Sequence, residues 1–144
     1  MYYYIIEMDS KIIAVDFDGT IVEDKYPSIG KPMMYAFESL KMLEADGHRL
    51  VLWTYRSGKR LEEAVAFCKK NGIEFYAINK NYPEEDHTPD IPRKIKADIF
   101  IDDRNVGGFP GWGKIYQIIS GQDLNVNMDN SRSGLLSILK RKKY

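Results

Sequence analysis

The chain has 144 residues, 44% of them apolar, which is enough for one domain with a real core and too few for two comfortable ones. Lysine plus arginine balances aspartate plus glutamate at 21 each, so net charge gives no case for a nucleic-acid or membrane partner. The single cysteine, Cys68, excludes an internal disulfide framework and fits a reducing compartment.

The N-terminus, MYYYIIEMDSK, has neither a basic n-region nor a long apolar h-region, and no apolar run reaches the length of a membrane span. A cytoplasmic protein is expected. Within this segment YYYIIE is rich in strand formers and reads as an extra edge strand or an ordered arm. IIAVD, residues 12–16, is a short continuous apolar strand of the kind found inside parallel sheets. Residues 19–32, GTIVEDKYPSIGKP, read as loop with room for a small hairpin.

From Met33 the period becomes helical. Met33, Phe37, Leu40 and Leu43 share one helix face, and Gly47 is a plausible stop. HRLVLWT is the second core strand. Ser57 is placed to cap a following helix with Leu61, Val65 and Cys68 on its apolar face and Gly72 at its end. EFYAI is a third strand. NKNYPEEDHTPDIP, residues 79–92, is a polar loop with three prolines, and ADIFI is the fourth strand. GGFPGWG then leads into KIYQII, read as helix, and GLLSILKRK reads as a short amphipathic helix in the tail. The whole is expected to be one domain over 1–144, with its core at about 11–120 and a tail at 121–144.

Alternating strands and helices argue for an α/β fold with a parallel sheet, in which ligands bind beyond the carboxyl ends of the strands. Three strands end there in polar residues: Asp16 and Asp18, then Thr54, then Asp102 and Asp103. Converging carboxylates repel, by roughly 4 kcal/mol for a pair about 4 Å apart at an effective dielectric near 20. A divalent cation supplies the missing charge. An all-oxygen site with open positions suits Mg²⁺, which keeps waters and recruits a substrate phosphate.

AVDFDGTIV, LVLWTYR and ADIFIDDRN, in that order, resemble motifs I, II and IV of the haloacid-dehalogenase (HAD) superfamily of phosphohydrolases, over roughly residues 11–120. A receiver domain also uses aspartate, threonine and lysine, but in an order that does not fit. The resemblance implies a Rossmann-like three-layer sandwich around a central parallel sheet. It implies a Mg²⁺-dependent phosphomonoesterase acting through an aspartyl-phosphate on Asp16. Asp18 would be the general acid and base, and its spacing of two from Asp16 would put both on one face of a continuing strand.

Asp16, Asp102 and the backbone carbonyl of Asp18 would hold the metal, with Asp103 behind them orienting a water or a lysine. Thr54 would bond a phosphate oxygen, and Gly19 would let the backbone approach the phosphate. Arg56 could contact the same phosphate, and Arg104 is similar. The motif-III lysine is expected at Lys94, with Lys96 and Lys80 as alternatives. An aspartate at 18 is the phosphatase pattern rather than the dehalogenase one.

No stretch is long enough for a large cap, so a capless (C0-type) member is expected, with at most a flap at 20–31. Its open site implies a large phosphorylated substrate, closure by a second copy in a homo-oligomer, or a broad specificity for small phosphate esters. The alternatives are a non-catalytic phosphate- or metal-binding module on the same fold and a phosphotransferase. Cys68 reads as core, and His87 as part of a solvated acidic loop.

Overall fold

Residues 12–15, IIAV, are β-branched or small and apolar at every position, and they form the strand that the rest of the sheet is built on. This strand, β1 (Ile12–Val15), is central, and Ile13, Ala14 and Val15 are buried on both of its faces. It pairs in parallel with β2 (Arg49–Leu52), Ile12 against Arg49 and Val15 against Leu52. On its other side it pairs in parallel with β4 (Ile99–Ile101), Ile13 against Ile99 and Val15 against Ile101. A two-residue strand, β3 (Ala77–Ile78), adds to the far side of β2. The order is β3-β2-β1-β4, all parallel, as expected of a Rossmann-like α/β fold. The computed structural model describes residues 9–121.

The chain divides into two units, Met1–Phe109 and Pro110–Tyr144. The first holds the sheet and two crossover helices, α1 (Ala36–Ala45) and α2 (Gly58–Lys70). Phe37, Leu40 and Leu43 are buried along α1, as their spacing requires. The helix begins three residues later than the sequence suggests. Met33 donates its backbone N–H to Ile21 O (2.8 Å), and Tyr35, in the left-handed region at φ 61°, is the N-cap whose carbonyl accepts the N–H of Ser39 (2.9 Å). Ser57 precedes α2 in an extended conformation, and its carbonyl accepts the N–H of Leu61. Phe67 of α2 packs against Phe37 of α1 (ring centroids 6.0 Å) and edge-on to Phe17 (6.4 Å). Both helices therefore cover the same face of the sheet, the outcome of two right-handed crossovers in one direction.

The opposite face carries Ala14, Val51 and Ala77 under Ile95, with Trp53, Tyr76 and Phe100 at its margins. Ile95 comes from the irregular segment between β3 and β4, whose prolines bar a helix. That segment is clipped in place by Asn81, which donates from its backbone and side-chain nitrogens to Glu85 (2.7 and 2.8 Å) and accepts the N–H of Lys96 (2.7 Å). The third layer here is this anchored segment rather than a helix.

In the second unit α3 (Trp112–Ile119) begins two residues before the expected KIYQII. No helix among the described residues is long and apolar enough to cross a membrane. The expected YYYIIE strand and the GLLSILKRK helix lie outside the described residues.

The chain runs β1 to β2 to β3 in one direction and returns to the other side of β1 for β4. The reversal falls between β1 and β4, and the crevice it opens at their carboxyl ends is where such sheets bind ligands.

Candidate functional site

The last rung between β1 and β4 is the N–H of Asp16 donated to Ile101 O (3.0 Å), which sets Asp16 beside Asp102. The chain then turns tightly: the N–H groups of Thr20, Ile21 and Val22 all point at Phe17 O (3.2, 2.9 and 3.2 Å). Gly19, at φ 83°, makes the turn possible. It has a second reason to be glycine, because a Cβ there would overlap the carboxylate of Asp103.

Thr20 is fully buried and ties the two strand ends together. Its hydroxyl accepts the N–H of Asp103 (3.0 Å) and lies 3.1 Å from Asp16 Oδ2 and 3.2 Å from Asp103 Oδ1. A hydroxyl has one proton, so it donates to one of these carboxylates at a time. The negative charge it leaves is large. Asp16, Asp102 and Asp103 each place an oxygen within 4.8 Å of the others. Burial, and then the charge of Asp102, push the Asp16 carboxyl up to about 7 from its ordinary value of 3.8.

Asp18 is held differently. Both its oxygens accept from the fork of Arg56, Nε at 2.8 Å and Nη2 at 2.7 Å. Arg56 is only 1% exposed and also donates to the carbonyls of Pro27 (3.0 Å) and Ser28 (2.7 Å). Its guanidinium lies between the rings of Phe17 (5.1 Å) and Tyr26 (5.2 Å). The hydrogen bonds to Asp18 raise its pKa further above the ordinary arginine value. Arg56 is thus the buried partner of Asp18 and the anchor of the flap, where the sequence suggests a contact to substrate.

Thr54 is set by a residue the sequence reading missed. Its N–H donates to Asn79 Oδ1 (2.8 Å), and its hydroxyl accepts the N–H of Arg56 (3.2 Å). Asn79 sits just past β3 at φ 53°, a left-handed conformation that asparagine tolerates, and donates its own N–H to Leu52 O (2.8 Å). An asparagine directly after a predicted strand was the available signal, as was the threonine in DFDGT for Thr20.

Asp16, Asp18, Thr54 and Asp102 line one cavity of about 640 Å³. Among the described residues, no lysine lines it. Lys94 is exposed and lays its ammonium over the ring of Phe100 (5.6 Å). Lys96 is exposed beyond the Asn81 clip, and Lys80 follows Asn79, with its charge acting on Glu85. Among the described residues, the cation that lines the cavity is Arg104, 3.8 Å from Asp24. Asp102 is fixed by the turn it starts, accepting the N–H of Arg104 (2.8 Å).

A solved structure of a conserved protein from Bacteroides thetaiotaomicron is similar to this chain, with 52% identity and a TM-score of 0.77 over 83% of this chain and 98% of that one. The two belong to one family. No protein-family model matches the chain, and no curated protein matches it.

Proposed function

We propose that this protein is a Mg²⁺-dependent phosphomonoesterase of the haloacid-dehalogenase type, working through Asp16. The observation that carries this reading is the meeting of Asp16 and Asp18 in one cavity, at the switch point of the sheet, with Asp102 and Asp103 beside them. The donor set fits a hard divalent cation. Its three carboxylates offer only oxygen, and burial followed by the charge of Asp102 raises the Asp16 pKa, a cost that a bound cation would relieve. Asp16, Asp102 and Asp103 would hold the ion, and the carbonyl of Asp18 remains a candidate fourth ligand. When bound, the ion would neutralise charge on the phosphoryl group and keep Asp16 ionised near neutral pH.

The side chains then divide the work. An oxygen of Asp16 attacks phosphorus as the bond from phosphorus to the leaving alcohol breaks, and Asp18 passes a proton to the departing oxygen. Water then attacks the aspartyl-phosphate, giving a proton back to Asp18, and the bond from phosphorus to Asp16 breaks to release phosphate. Both Asp18 oxygens already accept from Arg56, so its proton takes a remaining lone pair beside those bonds, which sets the proton transfer next to the hold on the flap. Thr54, which lines the same cavity, would bond a phosphoryl oxygen.

The test is phosphate release from p-nitrophenyl phosphate and a panel of metabolite esters, with Mg²⁺ and with EDTA, for wild type and Asp16→Asn. Mg²⁺-dependent turnover that drops by about 10³-fold or more in the variant supports the reading. Full activity in Asp16→Asn would remove Asp16 as nucleophile. A second reading, a phosphate- or metal-binding module without turnover, is favoured by one observation: among the described residues, no lysine lines the cavity to neutralise a bound phosphate. Binding of Mg²⁺ and a phosphate mimic, with silence across the panel, would select it.

A further inference from the structure

A phosphoryl group seated on Asp16 needs charge and hydrogen bonds, yet the lining of its cavity also carries three aromatic rings. Tyr26, Trp53 and Tyr55 line it together with the carboxylates. Trp53 is half-buried and packs against the apolar cluster on the sheet face. The other two rings are left to solvent: Tyr26 is 50% exposed and Tyr55 91% exposed. They meet edge to face, centroids 6.3 Å apart and planes inclined by 67°.

Tyr26 is tied to the buried arginine, and Tyr55 is carried beside it. Tyr26 precedes the two carbonyls that Arg56 grips, and its ring lies against the same guanidinium that binds Asp18. Tyr55 sits between Thr54 and Arg56, whose backbone N–H is bonded to the Thr54 hydroxyl. One buried arginine therefore touches both the Asp18 carboxylate and the Tyr26 ring, and Tyr55 joins them through its edge contact with Tyr26. Neither tyrosine is needed to fill the core, and neither hydroxyl is required for the chemistry at phosphorus. What the rings can contact is the part of the ester beyond the phosphate. Exposed aromatic rings offer stacking surface, which favours a flat π-system over a saturated group of equal size.

We infer that Tyr26 and Tyr55 form a specificity rim for a flat aromatic ring in the alcohol portion of the substrate, a nucleobase or a phenyl-type group. This rests on the phosphohydrolase reading above. The substrate class is then a phosphomonoester of an alcohol that carries such a ring a few bonds from the ester oxygen.

The test compares matched esters whose leaving alcohols are alike in acidity. Adenosine 5′-monophosphate is set against ribose 5-phosphate, and 2-phenylethyl phosphate against 2-cyclohexylethyl phosphate, for wild type, Tyr26→Ala, Tyr55→Ala and the two Tyr→Phe variants. The expected result is a kcat/KM preference of about tenfold or more for the flat member of at least one pair, expressed mainly in KM. Which pair shows it separates a nucleobase from a phenyl group. The preference should fall in the alanine variants and survive in the phenylalanine ones, which keep the ring.

Equal rates within both pairs would overturn the inference and leave the phosphohydrolase reading standing. So would a preference that persists in both alanine variants. Tyr55 is so exposed that its truncation removes little packing, which keeps that arm free of folding failure. Should wild type hydrolyse none of the four esters, the phosphohydrolase reading fails for this class. Calorimetric binding of the same pairs then decides the aromatic preference by itself, for or against.

Discussion

A guanidinium shut away from water must find every hydrogen-bond partner inside the protein, and Arg56 finds Asp18 and two flap carbonyls. Removing it would leave Asp18 largely buried with no counter-charge, the situation in which breaking an ion pair costs most. Arg56→Ala should therefore destabilise by about 3 kcal/mol or more, read as a lower urea midpoint. Arg56→Lys keeps the charge but replaces a planar fork with a single point donor, so it should recover only part of the loss. Equal stability of Arg56→Ala and wild type would mean that Asp18 is solvated by water and that the flap is held by other contacts. A solvated arginine and a buried one look alike in sequence. This pairing joins residues 38 positions apart through a turn whose geometry the sequence does not display.

The strands were the legible elements, because a continuous apolar run bounded by polar residues leaves few choices for β1, β2 and β4. Helix ends were less legible. The start of α1 is decided by a hydrogen bond from Met33 to Ile21, a contact with the flap that no periodicity reports. The carboxylate positions at the strand ends followed from the α/β alternation, whereas the lysine did not. The segment holding Lys80, Lys94 and Lys96 is irregular, so no period predicts which way its side chains point.

The turn after β1 combines both kinds of information. Its glycine was expected to make room for phosphate, and the structure sets the Asp103 carboxylate against that glycine. Gly19→Ala would pay for a positive φ and also displace Asp103 from Asp16. A stability loss of about 1–3 kcal/mol is expected, with weaker Mg²⁺ binding by calorimetry. Unchanged Mg²⁺ affinity in that variant would show that Asp103 is not needed for the ion.

At the scale of the whole molecule, the acidic cluster ties folding stability to pH and to cation. The Asp16 carboxyl is raised from 3.8 to about 7 in the folded state, so the folded protein holds this proton more tightly than the unfolded chain does. The stabilisation from that proton is complete below about pH 4 and is lost as pH rises through about 7. The metal-free protein should therefore lose stability from this group across that window. Other groups titrate there too, so the difference between wild type and Asp16→Asn isolates it. In EDTA at about pH 8 the asparagine variant should be the more stable by about 1–2 kcal/mol, the part of the shift that survives solvent screening of a partly exposed group. Mg²⁺ should reverse the order. A cation binds the deprotonated cluster, so it should raise the wild-type thermal midpoint at about pH 8 and do so much less at about pH 5, where protons compete. The asparagine variant should respond weakly at both. Thermal midpoints of the two proteins, in EDTA and in Mg²⁺ at the two pH values, would check this. A wild-type response to Mg²⁺ as large at the lower pH as at the higher would mean that the ion binds away from Asp16, and the catalytic reading of this cluster would fall with it.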